Sequence, residues 1–164
     1  MENFSKKIKT ISEHEMFTNE IKIFLEKTRH KVIGNYEIKN ILKSENLKMD
    51  LLLITENKIY CIKERFENNK ACISKMNNVI DEMKVLYNFD KRCNECIFLC
   101  KHIPSSLCIE KVHQENEKKE INYQIISANN KNMLIQKLFS HLHLNRIFFY
   151  DEDSIIMHGN FEYN

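Results

Sequence analysis

Length, composition and charge exclude several classes of protein before any motif is considered. The chain has 164 residues, 43% of them apolar, which fits one domain with its own core. Its 25 basic and 23 acidic side chains give a formal net charge of +2, so no global field draws it to nucleic acid or to an anionic membrane, and any basic surface must be local.

The first predicted element is an amphipathic helix over residues 12–28. Phe17, Ile21 and Leu25 recur at helical spacing, and charged residues fall largely off this apolar stripe. Ser12 precedes the periodic segment and is a candidate N-cap, because its hydroxyl can accept a hydrogen bond from a backbone N–H of the first turn.

Three extended segments follow this helix. Residues 30–42 alternate loosely between apolar and polar, with Gly34-Asn35 as a turn signal, and predict one or two short strands. The apolar runs 49–55 and 58–66, separated by Glu56-Asn57, predict a hairpin at the centre of a sheet.

The second half of the chain alternates helices and strands. Residues 71–88 have apolar side chains at spacings of three and four, which predicts a long helix. The remaining predicted elements are a buried strand at 96–100, a helix at 105–115, a strand at 121–126, and a helix that Asn129 or Asn130 caps and that contains Leu134, Leu138 and Leu142.

This order predicts a three-layer α/β domain with a central mixed sheet, because strand-helix-strand units favour parallel strands joined by right-handed crossovers. We assign residues 1–144 to this domain. Residues 145–164 are interpreted as a C-terminal extension, with segments 146–150 and 154–158 forming a β-hairpin around the acidic turn Asp151-Glu152-Asp153.

The chain shows neither a membrane span nor a secretion signal. No stretch approaches the roughly 20 apolar residues of a membrane helix, and the N-terminal sequence MENFSKKIKTISEHE lacks the apolar core of a signal peptide. We therefore expect an intracellular protein, in the cytoplasm or nucleus, without a membrane partner. Its six cysteines are then thiols or metal ligands rather than disulfides.

The segment MDLLLITENKIYCIKERF, with an aspartate opening one strand and charged residues closing the next, resembles the restriction-endonuclease-like PD-(D/E)xK superfamily. The similarity in layout extends over residues 12–142 and is greatest to Mrr-type and junction-resolvase-like members. In that family an aspartate and a glutamate hold divalent ions, a lysine positions the attacking water, and a glutamate of the first helix often completes the site. The resemblance implies these roles for Asp50, Lys63 and Glu20.

The third strand departs from the family pattern. Counted from Asp50, the usual Glu-x-Lys falls on Lys63-Glu64-Arg65, so a cation stands where a metal-binding carboxylate is expected. Strand alternation places Lys63 and Arg65 on one face and Glu64 on the other. Replacing a carboxylate by a cation about 4 Å from a metal reverses an interaction of several kcal/mol, and we expect the metal to be lost.

A carboxylate from elsewhere, such as Glu67 or Glu82, could restore the site. The alternative function is then a Mg²⁺-dependent endonuclease using Asp50, Glu20 and Lys63.

Two other groups of residues are candidate sites. Cys93, Cys96 and Cys100, at spacings of three and four, suggest zinc, but the apolar residues between the last two and the missing second Cys-x-x-Cys favour thiols without metal. Basic clusters, including the one with Arg29 and Lys31, could contact phosphate.

The leading hypothesis is a catalytically degenerate nuclease-fold protein that works as a nucleic-acid-binding or assembly subunit of a larger complex. It would have protein partners, would bind DNA or RNA through Lys63, Arg65, Lys31 and Arg29, and would need no cofactor. A scaffold that binds only protein is a further alternative.

Overall fold

A computed structural model of the chain describes residues 12–65, 73–102 and 104–142. Ten helices and strands lie within these ranges. In chain order they are α1 (Glu13–Glu26), β1 (Lys31–Gly34), α2 (Asn35–Leu42), β2 (Leu51–Ile54), β3 (Ile59–Arg65), α3 (Ile73–Phe89), β4 (Glu95–Cys100), α4 (Ser106–Glu117), β5 (Asn122–Ser127) and α5 (Lys131–Leu142).

The five strands form one mixed sheet in the order β1-β2-β3-β4-β5. The first three strands pair antiparallel, and β2 and β3 form the predicted hairpin, closed by a hydrogen bond of 2.9 Å from Thr55 N to Lys58 O. The last three strands pair parallel, joined by α3 and α4 as crossover helices. The prediction of a mixed sheet with parallel strands in its second half is confirmed.

Helices cover both faces of this sheet and make a three-layer α/β arrangement. The central strands are apolar on both faces, as expected of strands buried on two sides. One face packs against α1 and α5, where Phe17, Ile21 and Phe139 are fully buried. The other face packs against α2, α3 and α4, where Met83 and Cys108 are fully buried.

Side-chain caps begin three of the helices, and two of these caps, Ser12 and Asn130, were predicted. Ser12 Oγ accepts a hydrogen bond of 3.1 Å from Glu15 N at the start of α1, and Ser105 Oγ accepts one of 3.4 Å at the start of α4. Asn130, one of the two residues proposed for α5, accepts a bond of 2.8 Å from Met133 N. These local bonds fix where the helices begin because they satisfy N–H groups that lack a partner within the helix.

The prediction of only strands over residues 30–42 is wrong in its second half. β1 ends at Gly34, and Asn35 begins helix α2 rather than a turn between strands. The Asn35 side chain donates hydrogen bonds of 3.0 and 2.9 Å to the carbonyl oxygens of Leu47 and Met49. These tertiary bonds, together with the complete burial of Ile38, override the weak local alternation.

The proposed C-terminal hairpin, the boundary at residue 144, and residues Glu67 and Cys72 lie outside the described residues. Within the described part of the chain, no helix is both long enough and apolar enough to cross a membrane.

The two bonds from Asn35 predict a stability effect. Replacing Asn35 by alanine removes two donors and leaves two carbonyl groups unpaired, so we expect the free energy of unfolding to fall by about 2 kcal/mol. Urea denaturation measures this change. Asn40→Ala, at an exposed position on the same helix, is the matched control and should change stability by less than about 0.5 kcal/mol. Equal effects of the two variants would contradict the role given to Asn35.

Candidate functional site

The candidate site lies at the start of β2 and the end of β3, beside the first turn of α1. Asp50 immediately precedes β2 and donates its backbone N–H to Ile62 O at 3.2 Å. Its side-chain Oδ2 accepts a hydrogen bond of 2.8 Å from the backbone N–H of Glu64. The carboxyl group of Asp50 therefore connects the end of β3 to the start of β2 by a hydrogen bond. Asp50 is buried, with only 5% of its surface exposed.

His14, the second residue of α1, lies between two carboxyl groups. Its Nε2 is 3.0 Å from Asp50 Oδ1, and its Nδ1 is 3.0 Å from Glu64 Oε1. A neutral imidazole can donate from only one ring nitrogen, so hydrogen bonds to two carboxylates require the imidazolium form. Those two hydrogen bonds are the main reason that the pKa of His14 rises from 6.5 to about 10.

The position of this cation is determined by the carboxylates and not by its helix. A positive charge in the first turn of a helix opposes the helix dipole, at a cost of about 0.3–1 kcal/mol. A hydrogen bond to a charged group contributes about 1.5–3 kcal/mol, and His14 makes two of them. The bonds to Asp50 and Glu64 outweigh the unfavourable dipole.

Lys63 completes the cluster from the other face of the sheet. Its Nζ is 3.5 Å from Asp50 Oδ2 and also donates to the carbonyl oxygen of Lys48. Lys63 is 6% exposed and Glu64 is 1% exposed. The two buried carboxylates are thus matched by one ammonium and one imidazolium group, and the cluster of His14, Asp50, Lys63 and Glu64 has no net formal charge.

This cluster does not suit a divalent metal ion. The imidazole ring stands between the Asp50 and Glu64 oxygens, so they cannot converge on one ion without moving His14. Across residues 12–65, 73–102 and 104–142, no group of three or more His, Cys, Asp or Glu side chains is arranged to hold a metal. Glu82, considered as a replacement ligand, instead accepts hydrogen bonds of 2.8 and 2.9 Å from the backbone N–H groups of Lys48 and Met49.

A cleft of about 580 Å³ opens directly beside the cluster. Its walls are α1, the start of α2, and the segment that leads into β2. The buried residues Asp50 and Lys63 line it together with His14, and the exposed residues Tyr36 and Lys48 also belong to its lining. This size falls within the range of about 300–1,000 Å³ that is usual for ligand sites.

The residues predicted from sequence do not form one surface. Glu20 lies six positions beyond His14 on α1, is exposed, and is absent from the cleft lining. Lys31 pairs with Ile54, at the end of β2 opposite to Asp50, and Arg29 lies in the turn just before Lys31. Arg29 and Lys31 thus lie apart from Lys63, and their contact with nucleic acid or a partner stays a prediction.

Lys63 and Arg65 differ in burial. Lys63 is beside Asp50, as the resemblance implies, but it is buried and paired with that carboxylate rather than open to phosphate. Arg65 is partly exposed at the last position of β3, two residues beyond Lys63. Its side chain is not without a partner within the protein.

Sequence reasoning missed His14 and misjudged Glu64, although a signal for both was present. His14 precedes Phe17 by three positions and Ile21 by seven, so it continues the apolar stripe of α1. Glu64 shares a strand face with Ile62, and that face packs against α1. The stripe and the strand alternation together predict that a histidine and a carboxylate meet at this end of the sheet.

The cysteines considered for zinc lie in or beside the core. Cys96 and Cys100 are four positions apart on β4, about 13 Å along the strand, which is too far for both to bind one ion. Burial is the main reason that the pKa of Cys96 lies well above its usual range and that the pKa of Cys100 rises to about 11. Both thiols are therefore protonated at neutral pH.

Comparisons with known proteins do not assign the chain to a group. No protein-family model, curated protein or solved structure gives a significant match. The fold and the site define the protein as an α/β domain with a five-stranded mixed sheet. At one end of its central hairpin lies a cluster of two acidic and two basic side chains.

The His14 bridge predicts a pH-dependent stability difference. His14→Ala leaves two buried carboxylates without their shared partner, and we expect a loss of about 2 kcal/mol at neutral pH. This is less than is usual for a fully buried pair because the His14 side chain is 39% exposed. A group whose pKa is higher in the folded state stabilises the fold fully below its unfolded pKa and loses this effect as pH rises through the folded pKa. The difference between wild type and variant should therefore shrink between pH 6.5 and about 10.

Urea denaturation across this pH range measures the effect. His113→Ala, at an exposed position on α4, is the control and should show no such trend. A His14→Ala effect that stays constant over the range would show that the ring stabilises the fold by packing rather than by charge.

Proposed function

We propose that this chain is a catalytically degenerate protein of the restriction-endonuclease-like kind that acts as a nucleic-acid-binding or assembly subunit of a larger complex. The observation that carries the proposal is the position of His14, whose imidazolium ring separates the two carboxylates that would be expected to share a metal. We expect such a site to resemble a nuclease centre in its aspartate and glutamate but to lack the negative charge that holds a metal.

The layout of the domain supports the proposed resemblance. An aspartate precedes the first hairpin strand, a glutamate lies near the end of the second, and the first helix contributes a side chain to both. Glu64 fits the family's glutamate better than Lys63, which the register counted from Asp50 had suggested. The position two residues after Glu64, where the family has lysine, is Phe66 in this sequence.

The charge of the cluster argues against hydrolysis. A hard divalent cation binds where carboxylate oxygens cluster and negative charge is in excess. Here the imidazolium and ammonium groups already neutralise Asp50 and Glu64. Without a metal-bound water there is no strong nucleophile for a phosphodiester, whereas the adjoining cleft remains available for binding.

One observation favours the rival function, an active Mg²⁺-dependent endonuclease. The Glu64 carboxylate contacts the same His14 ring as Asp50, and Lys63 is 3.5 Å from Asp50. If His14 swung away, the two carboxylates would still have to close the width of its ring to share an ion. The two functions differ in whether His14 leaves the cluster when metal is present.

A cleavage and binding assay separates the two functions. We expect the full chain, incubated with labelled DNA and RNA in millimolar Mg²⁺ or Mn²⁺, to bind nucleic acid without cutting it. Asp50→Asn, checked by thermal unfolding to be folded, tests whether any cleavage that is seen depends on this cluster. Cleavage by the wild type that Asp50→Asn abolishes would establish the endonuclease instead.

Placing a carboxylate at position 14 of α1 should create a metal site. His14→Glu replaces the bridging cation by an anion and gives the cluster three carboxylates and one lysine. We expect this variant to be less stable than wild type without metal, because like charges are then buried together, and to gain several degrees in unfolding temperature with Mn²⁺.

The wild type should show no Mn²⁺-dependent shift in the same thermal scan. His113→Glu is the control for adding a glutamate at an exposed site and should not respond either. Equal Mn²⁺ stabilisation of the wild type and His14→Glu would contradict the view that His14 keeps metal out.

A further inference from the structure

We infer that the cleft beside the charge cluster binds single-stranded nucleic acid, with an unpaired base stacked on Tyr36 and the phosphates next to it held by Lys39 and Lys48. This inference rests on the proposed function and names the ligand class and the residues that bind it.

The cleft is built from segments that the fold holds together. The ion pair of Lys22 Nζ with Glu37 Oε1, at 3.8 Å, links its α1 wall to its α2 wall. Asn35 joins the start of α2 to the carbonyl oxygens of Leu47 and Met49, on either side of Lys48. The position of Tyr36 relative to Lys48 is therefore set by bonds within the protein before any ligand arrives.

Tyr36 is the most exposed large apolar side chain in the described part of the chain. It is 77% exposed and lines the cleft at the first turn of α2. Its ring contributes nothing to either core cluster. An aromatic ring in such a place is a ready surface for stacking, which is tolerant of sequence because every base has a flat face.

The charges around the cleft suit a polyanion. Lys22 is paired with Glu37, and Lys63 with Asp50, whereas no carboxylate among residues 12–65, 73–102 and 104–142 lies within 4 Å of the Lys39 or Lys48 ammonium group. With His14 as an imidazolium, five basic side chains line the cleft against three acidic ones. Glu64 and Glu82, which contact His14 and the Lys48 backbone, reduce this excess. The excess is small, so phosphate contacts should be few and the affinity should depend strongly on the stacked base.

A single strand fits this site better than a duplex. Bases in a duplex are already stacked on their neighbours and show only their edges in the grooves, so they offer no face to Tyr36. A single strand has free base faces and can bend a phosphate towards each lysine. The cleft volume of about 580 Å³ is also the size of a small-ligand site rather than of a duplex-binding channel.

Gly34 offers a way to block the cleft without disturbing the fold. It lines the cleft with φ −95° and ψ 178°, an extended conformation open to any residue, and a Cβ built there meets nothing within 4 Å. Gly34→Leu should therefore fold normally and fill the space that a nucleotide would occupy.

Fluorescence anisotropy with short labelled oligothymidine and oligouridine tests the inference on the full chain. We expect Tyr36→Ala to weaken binding about tenfold, Tyr36→Phe to bind as wild type, and Gly34→Leu to lose binding. Lys39→Glu and Lys48→Glu should each weaken binding and lower the slope of log affinity against log salt by about 0.7. Thermal unfolding of each variant checks that it is folded.

Two matched controls separate the site from general surface effects. Phe89→Ala removes another exposed ring, which is 59% exposed on α3, and Lys84→Glu reverses a charge in a separate cleft. Both should bind as wild type.

Three outcomes would overturn the inference, and they distinguish it from the proposed function. If Tyr36→Ala and Gly34→Leu bind as tightly as wild type, or if a hairpin duplex of equal length binds more tightly than the single strands, the cleft assignment fails while the proposed function stands. If the wild type binds no nucleic acid but binds a polyglutamate peptide in a Tyr36-dependent way, both the cleft ligand and the nucleic-acid role are wrong.

Discussion

The buried carboxylate of Asp50 is the constraint on which this end of the molecule depends. A carboxylate that is taken out of water must be fully hydrogen-bonded or paired, because an unpaired buried charge costs several kcal/mol. Asp50 meets this requirement with the backbone N–H of Glu64, the ring of His14 and the ammonium group of Lys63. Each partner comes from a different part of the site, so one side chain fixes the end of β3, the first turn of α1 and the lysine on the opposite face of the sheet.

The architecture could be predicted from the sequence where the local pattern of apolar residues, turns and caps agrees with the final packing of the domain. The β2–β3 hairpin follows from two apolar runs around a polar turn, and the helices α1 and α5 begin at side chains that cap them, Ser12 and Asn130. Helix α2 could not be predicted in this way. It depends on Asn35 reaching carbonyl groups more than ten residues away, and no local pattern contains that information.

The candidate site was only half accessible to sequence reasoning. Asp50 and Lys63 were identified because the pattern of the family that the chain resembles leads to them, but that pattern put a carboxylate position on Lys63, whereas the carboxylate that contacts His14 with Asp50 belongs to Glu64. Strand alternation correctly separated Glu64 from Lys63, yet it could not show that the carboxyl group of Asp50 contacts groups from both faces at the end of the sheet. His14 was overlooked because histidine is not the residue that the pattern leads one to seek on the first helix.

The imidazolium form of His14 between Asp50 and Glu64 decides the chemistry that we propose for this cluster. We propose that this cation stands where a metal ion would otherwise bind and that the cleft beside it binds a ligand without cutting it. Nitrogen-15 NMR of the His14 ring, followed from neutral to alkaline pH with Mg²⁺ present, tests this most directly. We predict that both ring nitrogens are protonated at pH 8 and titrate with a midpoint of about 10. A midpoint near 6.5, or ring signals that shift on addition of Mg²⁺, would contradict the account.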